Sequence, residues 1–361
     1  MLTILPLGAF VLMWVLLYRA SSQDRGVRIS FLCACILWGA LVVFNTESLS
    51  IIHVLNRGII SNFWIIVCLL AGFLLRKTSD PDLSRPKAKH TSKTDDTLNF
   101  FIILIITLVG ITAFVAPPNN WDSMTYHMSR VAHWIQNRSV EFFPTSMPRQ
   151  LWASPWAEYA IAQLQILTQS DRLANMVQWW SMTASVIGVS LIAKILGAGR
   201  RGQILSALAA ATLPVGILEA SSTQNDYAVA FWLVCITVFE LKLIKELKLR
   251  SAVFLGLSLG LAVLTKGTAL TFAAPMTAWA LITGFKKYGL KFWPAVGITL
   301  GLFLLITSPQ FIRNYQLGGH ILSPVLESKN LNNTDYSFEG TVSTAIQIGR
   351  ASCRERVCQY V

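Results

Sequence analysis

The sequence predicts an all-α protein that crosses a membrane about ten times. Of its 361 residues 53% are hydrophobic and only 13% are charged, and long apolar segments recur along the chain. A soluble domain carries roughly 25% charged residues, so this composition is that of a polytopic membrane protein. The net charge of +12 does not indicate a nucleic-acid partner, because basic residues collect in the cytoplasmic loops of membrane proteins.

The predicted spans and their orientation follow from hydropathy and loop charge. A transmembrane helix needs about 20 mostly apolar residues. The ten candidate segments are 2–18, 29–45, 58–75, 99–116, 175–196, 203–219, 227–243, 252–268, 269–285 and 292–309. Most of the 30 Lys and Arg residues lie in every second loop. The positive-inside rule makes those loops cytoplasmic and places the N-terminus outside.

The chain divides into three predicted parts and a tail. Residues 1–76 hold three leading spans, residues 77–98 form a polar cytoplasmic linker, and residues 99–335 form the main transmembrane core. Residues 348–361 change character abruptly and resemble the translation of a sequencing-adapter oligonucleotide. We therefore expect a non-native tail, with the natural chain continuing past about residue 347.

The longest outside loop, 117–174, contains two predicted helices. In the first, Met124, Met128, Val131 and Ile135 recur at the spacing of one helical face. A weaker apolar stripe begins at Trp156, after a Ser-Pro pair typical of a helix start. Both stripes predict amphipathic helices that lie in the membrane interface.

The first of these helices follows Asp122, which is the main candidate for chemistry. A carboxylate at the membrane surface can accept a proton from a hydroxyl or an amine. The alternative is that Asp122 caps the helix that begins at Ser123. His127 and Arg130 lie three residues apart on one polar face of that helix. His127 could orient Asp122 or bind a polar ligand, or it could be an ordinary interfacial histidine.

Further charged residues are predicted on the same side of the membrane. Asp226 begins the seventh span, and with Asp122 it could hold Mg²⁺ or Mn²⁺, although it could also be a helix cap. Lys266 lies at membrane level, where a cation marks function by default unless it snorkels to the interface. Arg313 could bind a phosphate bidentately, and Arg149 is a weaker candidate of the same kind.

These residues together resemble a known superfamily. The pattern consists of Asp122 after a span, Tyr126-His127, Asp226, Leu264-Thr265-Lys266-Gly267, and Arg313-Asn314-Tyr315. Over roughly residues 99–330 the chain resembles the GT-C superfamily, and more closely the polyprenyl-phosphate-sugar-dependent transferases related to protein mannosyltransferases and lipid A aminoarabinose transferases. One departure is Ser123, which stands where many members carry a second acid.

The resemblance implies an inverting glycosyltransferase of the bacterial inner membrane, with its active site on the outer face. The donor would be a sugar on polyprenyl phosphate held among membrane lipids, and the acceptor a glycan, a lipid or a protein. Asp122 would be the general base with His127 beside it, and Lys266 and Arg313 would contact the lipid phosphate. Tyr126, Arg149 and Asp226 would contact substrate.

Two other classes of function remain open on the sequence. A transporter or flippase for a lipid-linked sugar would also have ten spans and a cation at the level of Lys266. It would place charged residues near the middle of the membrane and repeat Gly/Pro-broken spans in two halves. A non-catalytic membrane scaffold is the third possibility. The acids of this chain lie at span ends on one side, which favours an enzyme.

Overall fold

The computed structural model describes residues 2–20, 26–78, 92–322, 337–343 and 346. These residues form helices and loops without a strand. Up to residue 318 the helices are α1 (Ile4–Ala20), α2 (Val27–Ile51), α3 (Arg57–Lys77), α4 (Lys93–Val115), α5 (Met128–Asn137), α6 (Arg149–Trp152), α7 (Trp156–Thr168), α8 (Met176–Ile195), α9 (Arg200–Ala211), α10 (Pro214–Glu219), α11 (Asp226–Lys245), α12 (Leu249–Thr265), α13 (Ala269–Tyr288) and α14 (Trp293–Gly318). A π-helical turn, Ser123–His127, precedes α5. The tail 348–361 and residues 79–91 of the predicted linker lie outside the described residues.

The all-α prediction is confirmed, and several helices can cross a membrane. Among the described residues six helical segments are long and apolar enough. Five are α2, α3, α4, α8 and α11, and the sixth is the continuous stretch Ala269–Gly318, which contains α13 and α14. The apolar helices α1 and α12 have 17 residues each, or about 26 Å of length. The count of ten spans stays a prediction.

The sixth predicted span, 203–219, is not one continuous helix. Helix α9 ends at Ala211, and α10 begins at Pro214 after an extended Leu213. Proline cannot donate a backbone hydrogen bond and disfavours helix in the preceding residue, which explains the break. The six-residue α10 is not among the segments that are long and apolar enough to cross a membrane. The break places Glu219, the last residue of α10, shortly before the start of α11.

The centre of the molecule is α12, which is buried along nearly its whole length. It packs closely on α14 at two glycines. A Cβ atom on Gly256 would come within 2.6 Å of the Thr299 carbonyl oxygen, and one on Gly260 within 2.7 Å of the Ile306 side chain. Small residues allow helix backbones to approach in this way. The close packing fixes the C-terminal end of α12, where Lys266 follows.

The two predicted helices of the outside loop form, but their surroundings differ from those predicted. Met128, Val131 and Ile135 face the core, whereas Met124 is 60% exposed. The π-turn explains the difference, since its hydrogen bond runs from the Met128 N–H to Ser123 O and adds a residue to the turn. Helix α7 is buried on all its faces. An interfacial position is therefore not confirmed for it.

Candidate active site

Asp122 begins the π-turn without capping it. Its side chain makes no capping hydrogen bond, and the Ser123 N–H instead donates to Asn120 Oδ1 at 2.7 Å. Within the part of the chain that the structure describes, the partly buried Asp122 carboxylate has no hydrogen bond and no ion pair. The capping alternative therefore does not account for this residue. A carboxylate without a partner can accept a proton.

The other end of the π-turn is fixed by a buried charged group. His127 Nδ1 lies 2.8 Å from Glu158 Oε1, and Arg130 Nη1 lies 3.5 Å from the same oxygen. Arg130 Nη2 also donates to the carbonyls of Leu151 and Ala153. The side chains of His127, Arg130 and Glu158 are each at most 1% exposed. His127 therefore contacts α7 and is shielded from solvent.

Glu158 is ionised in this arrangement. Burial alone would raise the pKa of Glu158, but the charges of His127 and Arg130 together with the His127 hydrogen bond lower the pKa overall. A buried charge is tolerated only when it is paired and hydrogen-bonded. The group thus links α5 to α7 and holds the π-turn that carries Asp122.

Tyr126 lies near the Asp122 carboxylate and in contact with Arg149. The guanidinium carbon of Arg149 is 5.6 Å from the centre of the Tyr126 ring, within cation–π range. Burial and then the negative charge of Asp122 raise the pKa of Tyr126, so its hydroxyl remains a donor. Helix α6 is held in place because the Gln150 amide donates to Thr125 O at 2.7 Å and to Ser129 Oγ at 3.0 Å.

Asp226 and Lys266 form an ion pair where α11 begins and α12 ends, on the side predicted to face outward. Lys266 Nζ donates to Asp226 Oδ1 at 2.6 Å. The Asn225 amide donates to Thr265 O at 3.0 Å and brings the start of α11 against the end of α12. The pair is open to solvent, with side chains 38% exposed for Lys266 and 47% for Asp226. A ligand can therefore reach both.

Glu219 connects this ion pair with Asp122. The pKa of Glu219 is raised to about 7, first by burial and then by the negative charge of Asp226. The charge of Asp122 adds a smaller rise, and the positive charge of Lys266 opposes it. The charge of Asp226 also acts on Tyr126. Because Glu219 and Tyr126 each respond to Asp122 and to Asp226, these side chains share one electrostatic environment. We call Asp122, Tyr126, Arg149, Glu219, Asp226 and Lys266 the outer cluster.

Comparison with known proteins gives this cluster its context. A family model described as dolichyl-phosphate-mannose-protein mannosyltransferase matches residues 153–312. The resemblance to the GT-C superfamily is confirmed. With the apolar helices, the match supports an integral membrane glycosyltransferase of the GT-C type. No curated protein and no solved structure matches the chain.

The matched region contains only part of the outer cluster. Glu219, Asp226 and Lys266 lie inside residues 153–312, together with Glu158. Asp122, Tyr126, His127 and Arg149 precede the match, and Arg313 follows its last residue. The GT-C match thus supports the class of enzyme and leaves the individual site residues as predictions.

Arg313 is not part of the outer cluster. Its Nη1 donates to Glu47 Oε2 at 2.8 Å and its Nη2 to Glu47 Oε1 at 2.6 Å, which is a bidentate pair between α14 and α2. Nη2 also donates to the Tyr159 hydroxyl at 2.7 Å. A phosphate would have to displace Glu47 to bind here. The predicted phosphate contact of Arg313 is untested, and the geometry gives it a structural role.

The predicted metal site at Asp122 and Asp226 would need several oxygen ligands that converge on one point. Among the described residues no group of three or more His, Cys, Asp and Glu side chains converges as a metal would require. Asp226 is engaged by Lys266. The donor set among these residues does not fit Mg²⁺ or Mn²⁺. The metal stays a prediction, which transfer assays in a chelator can test.

Sequence reasoning did not select Glu158, Glu219 or Glu47. Glu158 lies among apolar residues in α7, and Glu47 is the one acid of the apolar helix α2. An acid within an apolar helix signals a buried partner, so both could have been found. Glu219 has no such signal, because it stood at the end of a predicted span and its position depends on the break before Pro214.

Proposed function

We propose that this GT-C enzyme transfers a sugar from a polyprenyl-phosphate donor to an acceptor on the outer face of the bacterial inner membrane. The observation that carries the proposal is the carboxylate of Asp122, which has no partner among the described residues and whose charge acts on Tyr126 and Glu219. Arg149 lies against the Tyr126 ring, and the charge of Lys266 acts on Glu219. A base, a hydroxyl donor and two cations in one place are what glycosyl transfer to an acceptor needs.

Asp122 acts as the general base in the proposed reaction. The acceptor oxygen or nitrogen forms a bond to the anomeric carbon as its proton moves to the Asp122 carboxylate. The bond from the anomeric carbon to the phosphate oxygen breaks, and the polyprenyl phosphate leaves with the electron pair. A single displacement of this kind inverts the anomeric centre.

The cations of the outer cluster stabilise the leaving group. Negative charge grows on the phosphate oxygens as the glycosidic bond breaks, and fixed cations at that position lower the barrier. Lys266 is supported by Asp226 and is accessible to a ligand. Arg149 contacts the Tyr126 ring and has no acidic partner among the described residues. We assign Lys266 and Arg149 to the phosphate, and Tyr126 to the sugar or the acceptor.

His127 positions the base and does not take part in proton transfer. Its ring is 1% exposed and its Nδ1 lies against Glu158. Its Nε2 is buried without a partner in the described part of the molecule. A substrate proton cannot reach a nitrogen enclosed in this way. The His127–Glu158 contact instead holds the π-turn at whose first end Asp122 lies.

Asp122→Asn tests the proposal. We expect transfer from a polyprenyl-linked donor to fall by about 10²–10⁴-fold, the usual contribution of a general base. The thermal stability of the purified protein should not change, because the carboxylate has no partner to lose. Sugar transfer is measured with a labelled donor in reconstituted membranes.

Asp171→Asn is the matched control, since Asp171 is an exposed acid of the same outside loop. It should retain wild-type transfer. If Asp122→Asn also transfers sugar at the wild-type rate, Asp122 is not the base. A transporter would instead move the lipid-linked sugar across the membrane equally well in both variants and would release no glycosylated acceptor.

A further inference from the structure

A second charged site lies at the other ends of the helices that carry the outer cluster. Asp226 begins α11 and Lys245 ends it, and 20 helical residues rise about 30 Å. At this end a cavity of about 470 Å³ opens between the ends of α8 and α11 and the beginnings of α2 and α12. We call it the inner cavity. The loop charges predict that this end faces the cytoplasm.

The inner cavity is strongly basic. Four lysines line it: Lys194, Lys242, Lys245 and Lys248. Among the described residues the one acid in its lining is Glu246, whose carboxylate lies 2.9 Å from Lys248 Nζ. The described lining therefore holds four lysines against one glutamate. The ammonium groups of Lys194 and Lys245 have no hydrogen bond or ion pair to any described residue.

The lysines are not explained by the carbonyls at the end of α11. Cations near a helix C-terminus commonly bind its last carbonyl groups. Here Lys287 Nζ donates to Ile244 O at 2.9 Å and to Lys245 O at 3.0 Å, and the Tyr288 hydroxyl donates to Ile244 O at 3.0 Å. These donors come from α13, outside the cavity. Lys194 and Lys245 thus stay available to a ligand in the described part of the molecule.

The backbone around the inner cavity also contributes positive charge. Helices α2 and α12 begin at it, after Gly26 and Lys248, and no described side chain caps the N–H groups of either start. The N-terminus of a helix carries a partial positive charge and free N–H donors. Ser251 adds a hydroxyl to the lining. Ammonium groups, N–H donors and a hydroxyl around one cavity are a recognition set for phosphate oxygens.

We propose that the inner cavity binds a phosphate group, carried either by a lipid of the inner leaflet or by a soluble compound. Basic pockets between membrane helices on the cytoplasmic side favour anionic headgroups. Ile29, Leu191 and Ile195 form the apolar part of the lining, next to which the glycerol end of a lipid can lie. The site is independent of the proposed sugar transfer, because none of its residues belongs to the outer cluster.

The experiment compares two double variants of the full chain. Lys194→Gln/Lys245→Gln removes the two cavity lysines that have no described partner. Lys286→Gln/Lys291→Gln removes two exposed lysines of the same end that do not line the cavity, and so makes the same change in net charge. Both variants should melt at the wild-type temperature. A lower melting temperature for the cavity variant alone would show that its lysines stabilise the fold and would overturn the proposal.

Two binding arms distinguish the sources of the phosphate. In the first, the protein is placed in nanodiscs of phosphatidylcholine with a small fraction of phosphatidylglycerol, and retained lipid is counted by native mass spectrometry. In the second, inorganic pyrophosphate is titrated by calorimetry. We expect the cavity variant to bind at least tenfold more weakly than the control variant in one arm, which identifies the source. Equal binding by the two variants in both arms, or no binding by the wild type, overturns the proposal.

Discussion

Two cations predicted to contact the same phosphate lie in opposite kinds of surroundings. Lys266 is 38% exposed and shares one hydrogen bond with Asp226, which is itself 47% exposed. Arg313 is 15% exposed and makes a bidentate pair with Glu47, which is 12% exposed. Lys266 can exchange its partner for a ligand at little cost. Arg313 cannot, because Glu47 would be left buried without its counter-charge.

The comparison shows that charge at the right end of a span does not by itself define a substrate site. What separates the two cations is the state of their partners. In the outer cluster Asp122 has no described partner and the Asp226–Lys266 pair is open. In the Arg313–Glu47–Tyr159 group the guanidinium donates to both carboxylate oxygens of Glu47 and to the Tyr159 hydroxyl. Substitutions should therefore change activity in the first group and stability in the second.

The largest effect on stability is expected for Arg313→Gln. Removing one partner of a buried ion pair costs about 3–5 kcal/mol, because the remaining charge stays buried. The melting temperature in detergent should fall strongly. The double variant Arg313→Gln/Glu47→Gln should recover much of the loss, since no charge is then left alone. If the single variant melts normally but no longer binds donor, Arg313 belongs with Lys266 and the contrast is wrong.

Lys266→Gln should have a smaller effect than Arg313→Gln, and it should change the kinetics with the donor, not the stability. A hydrogen bond to a charged group contributes about 1.5–3 kcal/mol, so kcat/KM for the lipid-linked donor should fall by about one to two decades. Both a higher KM and a lower kcat are expected, because the contact strengthens as the phosphate leaves. Stability should hardly change, since exposed ion pairs contribute about 0–1 kcal/mol. Asp226→Asn leaves the ammonium in place and is the control. A matching fall in kcat/KM in that variant would show that the ion pair, and not the phosphate contact, is what matters.

The sequence predicted the helices and the common side of the charged residues, but it did not predict which charged side chains pair with each other. Apolar runs and Pro214 account for the helices, because hydropathy and proline act locally. Lys266 and Asp226 were placed on one side by loop charge alone. Their 2.6 Å contact depends on residues 40 positions apart, which no local pattern contains. The bidentate contact of Arg313 with Glu47 spans 266 positions, so a cation that resembled a phosphate ligand is satisfied inside the protein.

His127 lies between the two kinds of surroundings, since it is buried and paired like Arg313 but adjoins the outer cluster. His127→Asn offers an amide N–H near the position of Nδ1 and should keep the bond to Glu158. We expect it to retain kcat within about tenfold, or about 1.4 kcal/mol. His127→Ala should lower both kcat and the melting temperature. If His127→Asn is as inactive as Asp122→Asn while it melts normally, the imidazole takes part in the chemistry.

The last effect is a pH dependence at Glu219, the acid of the outer cluster whose pKa is raised. Burial and the charge of Asp226 raise its pKa from 4.5 to about 7. The folded state therefore disfavours the ionised carboxylate, and the stability that the protonated form contributes at low pH is lost as the pH rises through this interval. Glu219→Gln does not titrate, so it should melt above the wild type at pH 8 and close to it at pH 5. Parallel melting curves across that range would mean that Glu219 is not held beside Asp226 and Asp122, and the outer cluster would then separate into two independent groups.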